Sequence, residues 1–341
     1  MCDTPFVVID LPAVERHVAR LQRYCDRHEI QLWPHVKAHK MIDLATLQLA
    51  AGAAGLTCQT VGEAEVMADA GFDRLLIPTP IVGERKCERL RHLAERVSLT
   101  LTCDSTHAAR ALARHGVRGE VLVELEVGLG RTGVPDAAHA ARLAVEIAEL
   151  DGLDFAGLLA HPTSPPVAPR LAEARAAIVE RGLAVRRVSG GGTLYAQRAH
   201  ECGISELRAG VYVFGDRSTL AAGATDDAAL RIRSTVVSRP TRTRAIIDAG
   251  SKTLTQDPPN VAGVDGFGTI VEYPHATLAC LSEEHGHVDL GGSGSGPCVG
   301  EVVTVIPNHA CGVINLHDEV AVDSGDGPLA MRRVQARGRT A

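Results

Sequence analysis

The chain has 341 residues, 45% hydrophobic and 22% charged, which suits two domains or one large barrel with an appendage and excludes disordered, collagen-like and coiled-coil classes. Lys+Arg number 35 against 41 Asp+Glu, a net charge of −6 with no run of like charge, and aromatic residues are 3%, so nucleic acid is not an expected partner. Residues 1–10 do not form a basic region leading into an apolar one, and no segment approaches the ~20 apolar residues of a membrane span. The chain reads as cytoplasmic, with no membrane partner.

Short apolar, β-rich runs recur through the first two thirds at 31–37, 55–61, 74–80, 98–104, 120–127, 154–162, 184–190 and 206–214. Between them lie Ala-rich stretches with apolar residues at helical spacing, at 61–70, 106–114, 137–150 and 170–181. Strand alternating with helix forces parallel pairing and right-handed crossovers, and eight such units predict an α/β fold of the (β/α)8 TIM-barrel type over residues 11–233. A doubly wound open sheet is the competing arrangement. From about Ser234 the pattern changes to strand-like segments at 244–248, 268–271, 302–306 and 319–322, set between Gly, Pro and Asn turns, with no long helix. This predicts a smaller, mostly β C-terminal domain over 234–341, joined by a strand from residues 1–10. The Gly/Ser-rich stretch 291–297 reads as a surface loop.

Nine cysteines (2, 25, 58, 87, 103, 202, 280, 298 and 311) are scattered without CxxC spacing, which supports neither a disulfide framework nor a structural zinc module. Most are expected to be small core residues.

In a barrel of this kind chemistry gathers at the C-terminal ends of the strands. The first ends in Pro34-His35-Val36-Lys37-Ala38-His39-Lys40. A partly desolvated lysine there can attack an aldehyde, although a lysine at a strand end is otherwise simply solvated. Lys40 would face away from Lys37 if the strand continued. The seventh strand ends in Ser189-Gly190-Gly191-Gly192-Thr193 and the eighth supplies Arg208-Ala209-Gly210-Val211, next to each other in strand order. Barrels place phosphate on backbone amides there, the alternative for such a turn being plain chain reversal. The fifth runs into Glu126-Val127-Gly128-Leu129-Gly130-Arg131-Thr132-Gly133, where an arginine offers fixed donors to an anionic oxygen unless it is an ordinary loop residue. His309 and Cys311, two apart on a strand-like segment, would point to one side and form a borderline-soft pair, either structural or for a divalent metal.

An aldehyde-trapping lysine with a phosphate cradle on one barrel face implies pyridoxal phosphate, and the chain resembles the fold-type III pyridoxal enzymes, which pair an alanine-racemase-like barrel with a C-terminal β domain. The closer likeness is to the D-threonine aldolase and D-serine dehydratase group. It rests on PHVKAHK, Gln59-Thr60-Val61-Gly62-Glu63-Ala64-Glu65, the SGGGT loop, Asp248-Ala249-Gly250-Ser251-Lys252, Glu284-His285-Gly286 and Pro307-Asn308-His309-Ala310-Cys311. The resemblance implies Lys37 as the Schiff-base lysine and places His35, Arg131 and His161 in the catalytic cluster. It implies cofactor contacts from Gln59, Arg131, Gly190, Gly191, Gly192, Thr193, Arg208, Gly210, Val211 and Tyr212. His309 and Cys311 become ligands of a divalent metal, zinc first and manganese or magnesium otherwise, with His-x-Cys closer to dehydratase-type members than to the aldolases.

The activity so implied is a lyase on D-configured 3-hydroxy amino acids such as D-serine, D-threonine or D-3-hydroxyaspartate, by dehydration and ammonia loss or by retro-aldol cleavage, in a homodimer. An amino-acid racemase and a pyridoxal phosphate carrier are the rivals. Trp33 and Ala38 depart from the arginine and threonine common in the group, and their places beside the lysine point to an effect on substrate identity.

Overall fold

A computed structural model describes residues 3–259, 264–293 and 295–341; Cys2 and position 294 of the 291–297 stretch lie outside the described residues. By its internal contacts the chain divides into two compact units, residues 20–37, 42–210 and 339–341 in one, and 1–19, 38–41 and 211–338 in the other. The division at 210/211 lies ahead of the pattern change at Ser234.

The chain opens with β1 (Phe6–Asp10) and α1 (Leu11–Arg27). Eight parallel strands then build the first unit: β2 (Gln31–Leu32), β3 (Leu56–Thr57), β4 (Arg74–Leu76), β5 (Ser98–Cys103), β6 (Gly119–Leu125), β7 (Leu153–Ala160), β8 (Arg187–Gly191) and β9 (Glu206–Arg208). The helices between them are α2 (Ile42–Ala50), α3 (Val61–Asp69), α4 (Glu84–Ala94), α5 (Thr106–Arg114), α6 (Ala137–Ala148) and α7 (Ala168–Val179). Capping fixes several starts, since Thr60, Ser105 and Asp136 each accept a bond from the backbone N–H three residues on. The strand order is β2-β9-β8-β7-β6-β5-β4-β3. β2 returns to β3 through a bridge between His35 and Thr57, helped by Ala54 N to Leu32 O at 2.8 Å, Thr57 N to Pro34 O at 2.9 Å and Thr57 Oγ1 to Trp33 O at 2.9 Å. The ring therefore closes into the expected (β/α)8 barrel, with a seam much shorter than the seven-pair β6/β7 ladder.

Trp33 does not sit with the reactive residues. It is 3% exposed, packs on Leu76, Leu122, Ala156 and Leu159, and lies between the guanidinium groups of Arg74 and Arg187 at 5.2 and 5.0 Å. Both arginines begin their strands, so the ring packs in the barrel interior toward its N-terminal end. Arg187 also bonds Glu206, Glu120 and Thr100.

The second unit adds α8 (Arg217–Ala221), β10 (Leu230–Thr241), β11 (Arg244–Ile247), α9 (Ser251–Leu254), β12 (Gly268–Ile270), β13 (Thr277–Leu281), β14 (Gly286–Asp289), β15 (Val302–Pro307), α10 (Ala310–Ile314), β16 (Glu319–Asp323) and β17 (Ala330–Arg333). Their sheet runs β13-β14-β11-β10-β1-β16-β17, with β15 pairing β10 and β12. The N-terminal strand joins this sheet as expected, antiparallel to β10 and parallel to β16. Of the described cysteines, 25, 58, 87, 103 and 202 are buried and none is in a disulfide, while burial pushes the Cys25 and Cys103 thiols up to about 12. Among the described residues no helix is long and apolar enough to cross a membrane.

Candidate functional site

In the first unit the candidates converge at the C-terminal ends of the strands. β2 stops at Leu32, and a 3-10 turn, Val36–Ala38, carries Lys37. Its Nζ donates to Gln59 Oε1 at 3.5 Å, and the same oxygen lies 3.0 Å from His35 Nε2. An amide oxygen only accepts, so Nε2 of His35 carries the proton. Gln59 Nε2 in turn donates to Thr79 Oγ1, and the Gln59 backbone N–H donates to Glu63 at 2.7 Å. His35 is 6% exposed; burial, Lys37 and Arg208 hold it well below the usual histidine range, and its buried Nδ1 has no protein partner. Lys40 departs from strand alternation altogether: it takes a left-handed backbone at φ +55°, and its Nζ donates to Ala336 O within the second unit.

β7 ends immediately before His161, whose imidazole is pulled down to about 4 by burial and then by Arg208, Arg131 and Lys37. The β8 end supplies Gly190 and Gly191. A Cβ on Gly191 would lie 2.8 Å from His161 Nδ1 and 3.0 Å from Arg208 Nη2, so only glycine admits both side chains here. Gly192 follows at φ +120°, its N–H making only a long 3.5 Å bond to Arg208 O, and Thr193 is buried. Arg208, at the end of β9, is 4% exposed and donates to Ser189 Oγ at 2.7 Å and Ala160 O at 3.1 Å; burial brings its guanidinium down to about 10. Gly210 closes the first unit, whereas Val211 and Tyr212 begin a 3-10 turn in the second.

Arg131 is half-exposed in the loop after β6, with Nη2 3.7 Å from Oε1 of Glu124. Glu124 is a member of this cluster that motif reading passes over. It is 2% exposed, Oε2 has no protein partner, and burial raises its carboxyl against a Thr132 hydrogen bond and the charges of Arg131 and Arg208. The available signal is a carboxylate in the apolar run Val121-Leu122-Val123-Glu124-Leu125, at the C-terminal end of β6.

His309 and Cys311 lie in the second unit and not on a strand. β15 ends at Pro307, His309 is the N-cap of α10, and Cys311 belongs to its first turn, because Asp216 Oδ2 accepts the Ala310 N–H at 3.1 Å and turns the chain. The pair nevertheless stays close enough to interact: the Cys311 thiol leads the influences that hold this imidazole up to about 9, followed by Asp216 and Asp257. Among the described residues no third His, Cys, Asp or Glu completes a metal-holding group with them. A soft thiol with an imidazole fits a divalent cation that keeps open positions.

Comparison with known proteins agrees with this arrangement. A family model described as the alanine racemase N-terminal domain matches residues 9–218, and one for a serine dehydratase domain matches 229–322. The chain is 34% identical to D-threonine aldolase of Arthrobacter sp, covering 94% of this chain and 89% of that one. The solved D-threonine aldolase from Filomicrobium marinum superimposes with a TM-score of 0.89 at 32% identity, covering 99% of this chain and 97% of the other. D-threo-3-hydroxyaspartate dehydratase is similar too, at a TM-score of 0.88 for two variants (27% and 28% identity; 98% of this chain, 95% and 97% of theirs). One variant replaces a histidine by alanine and the other a cysteine two positions later, the latter in the metal-free form. The chain belongs to the fold-type III pyridoxal phosphate enzymes with an alanine-racemase-like barrel, and within them to the lyases of the D-threonine aldolase and D-serine dehydratase group.

Proposed function

We propose that the chain is a pyridoxal phosphate- and divalent-metal-dependent dehydratase of a D-configured 3-hydroxy amino acid, releasing a 2-oxo acid and ammonia as a cytoplasmic homodimer. The observation that carries this reading is the His309/Cys311 pair, whose His-x-Cys spacing is that of the histidine and cysteine replaced in the two dehydratase variants. The cofactor's place is supported by the orphaned Nδ1 of buried His35 and by Gly191, whose missing Cβ lets His161 and Arg208 come together at the end of β8.

Pyridoxal phosphate, when bound, supplies an aldehyde for amines and an electron-withdrawing ring for charge at the substrate α-carbon. Lys37 Nζ would be the amine that holds the aldehyde and, with substrate present, the base for the α-proton. Gln59 Oε1 orients that amine and at the same time fixes the Nε2–H form of His35. His161, held down to about 4, stays neutral near pH 7 and presents its ring as a hydrogen-bond partner without adding charge. Gly190–Thr193 with Gly210 and Val211 would offer backbone amides to the phosphate, Tyr212 continues that segment, and Arg208 and Arg131 would supply fixed cationic donors. His309 and Cys311 would hold the cation, zinc before manganese or magnesium, whose Lewis acidity favours departure of a 3-hydroxyl.

Retro-aldol cleavage to glycine and an aldehyde is the second reading, favoured by the 34% identity to a D-threonine aldolase. Offering D-serine, D-threonine and D-3-hydroxyaspartate and assaying 2-oxo acid plus ammonia against glycine plus aldehyde decides between them. Formation of the L-enantiomer alone would instead identify a racemase, and no turnover of any of the three with intact cofactor absorbance would leave a carrier.

A further inference from the structure

His309 has a neighbour that no sequence motif marks. Its Nδ1 lies 2.9 Å from Asp257 Oδ2, across 52 residues of chain and entirely within the second unit. A carboxylate oxygen accepts, so Nδ1 of this imidazole carries a proton toward Asp257, which leaves Nε2 as the nitrogen that would bind a cation once its own proton is displaced.

Three further features hold Asp257 in that place. Its backbone N–H donates to Thr255 Oγ1 at 3.2 Å, and Thr255 is held at φ +66°, a left-handed conformation unfavourable for a β-branched residue. Its carbonyl accepts from Asn308 Nδ2 at 3.0 Å, and Asn308 precedes His309, so the segment bearing the histidine also grips the backbone of the aspartate. The third is Gly312. It occupies the interior of the short helix α10, where glycine costs helical stability, yet a Cβ there would come 2.9 Å from Asp257 Oδ2 and 2.8 Å from Thr255 Cγ2. Thr255, Asn308 and Gly312 thus all serve one approach, that of the Asp257 carboxylate to His309.

We infer that Asp257 is the positioning carboxylate of the metal pair: it fixes the tautomer and ring orientation of His309 so that Nε2 binds the cation beside Cys311, and Gly312 is the opening that admits it. The inference rests on the metal reading given under Proposed function and adds to it a residue outside the His-x-Cys motif.

The test is the affinity of purified full-length protein for zinc ion alone, measured by competition with a chromogenic chelator, together with imidazole 15N NMR of the zinc-loaded protein. Asp257→Ala is expected to bind zinc about 10–100-fold more weakly. Asp257→Asn, whose amide oxygen still accepts from Nδ1–H, should recover part of the loss. Gly312→Ala should weaken zinc in the same direction although it removes no polar atom, and NMR should show zinc on Nε2 of His309. Asp257→Ala binding zinc at the wild-type affinity, or zinc on Nδ1, overturns the inference; if Asp257→Ala does not fold, unchanged zinc affinity in both Asp257→Asn and Gly312→Ala overturns it equally. Failure of the metal reading is distinct, because wild type and His309→Ala would then bind zinc alike.

Discussion

Replacing Glu124 with glutamine removes a charge from the barrel mouth while keeping its shape. The carboxylate is 2% exposed and its Oε1 lies 3.7 Å from Arg131 Nη2. At an effective dielectric of about 20 two unit charges at this distance attract by about 4 kcal/mol, but Arg131 is 48% exposed, and solvent screening reduces the usable part to about 1 kcal/mol. If Arg131 faces the cofactor, that amount corresponds to about fivefold weaker cofactor binding in Glu124→Gln, with the effect passing through Arg131. The assay is pyridoxal phosphate titration by visible absorbance on wild type, Glu124→Gln, Arg131→Lys and the double variant. In this cycle the double variant should lose little more than Arg131→Lys alone. Folded stability should not fall comparably, since Oε2 has no protein partner and burial already penalises the charged form. Simple additivity of the two losses, or unchanged affinity in Glu124→Gln, would refute the argument that this carboxylate holds Arg131.

Lys37→Ala should abolish the visible absorbance of lysine-bound cofactor, whereas Lys40→Ala should keep it, because the Lys40 amine is engaged with Ala336 O in the second unit; purified-protein spectra decide. Gly191→Val should weaken cofactor binding at least about tenfold without unfolding the barrel, since its Cβ would press on His161 and Arg208 side chains and not on strand backbone; equilibrium dialysis against thermal melts separates the two effects. His161, near 4 in the folded protein against about 6.5 unfolded, binds fewer protons folded than unfolded between those values. Stability should therefore fall as pH drops from about 6.5 to 4, by up to about 3 kcal/mol from this group, and denaturant midpoints should show His161→Gln losing less than wild type over that range.

The barrel was legible because its periodicity is local: eight β-rich runs separated by Ala-rich helical spacing need no long-range information. Boundaries were less so. The run 31–37 looks like one strand, but Pro34 cannot donate to a ladder and the chain leaves β2 after Leu32, which is why alternation fails as a guide to Lys40. Helix α10 escaped notice because five residues carry too little periodicity and its start depends on Asp216, 94 residues away. The reactive residue types of the mouth were visible as motifs at strand ends. Glu124, Thr79 and Asp257 were not, since their relevance comes from what the fold brings within hydrogen-bond reach and not from neighbours in sequence.

The short closure between β2 and β3 has a mechanical consequence. A ring of strands breathes where its backbone is held by fewest bonds, and this one is held there by a single bridge and three flanking hydrogen bonds, besides the Gln59 side chain that reaches across to His35 and Lys37. His35 and Thr57 form the bridge itself, with Lys37 two residues beyond on one side and Gln59 two residues beyond on the other. A molecule held by both Lys37 and Gln59 would span that gap like a rivet, so loading the mouth should slow amide exchange at Ala54 and Thr57 more than at the long ladder between β6 and β7.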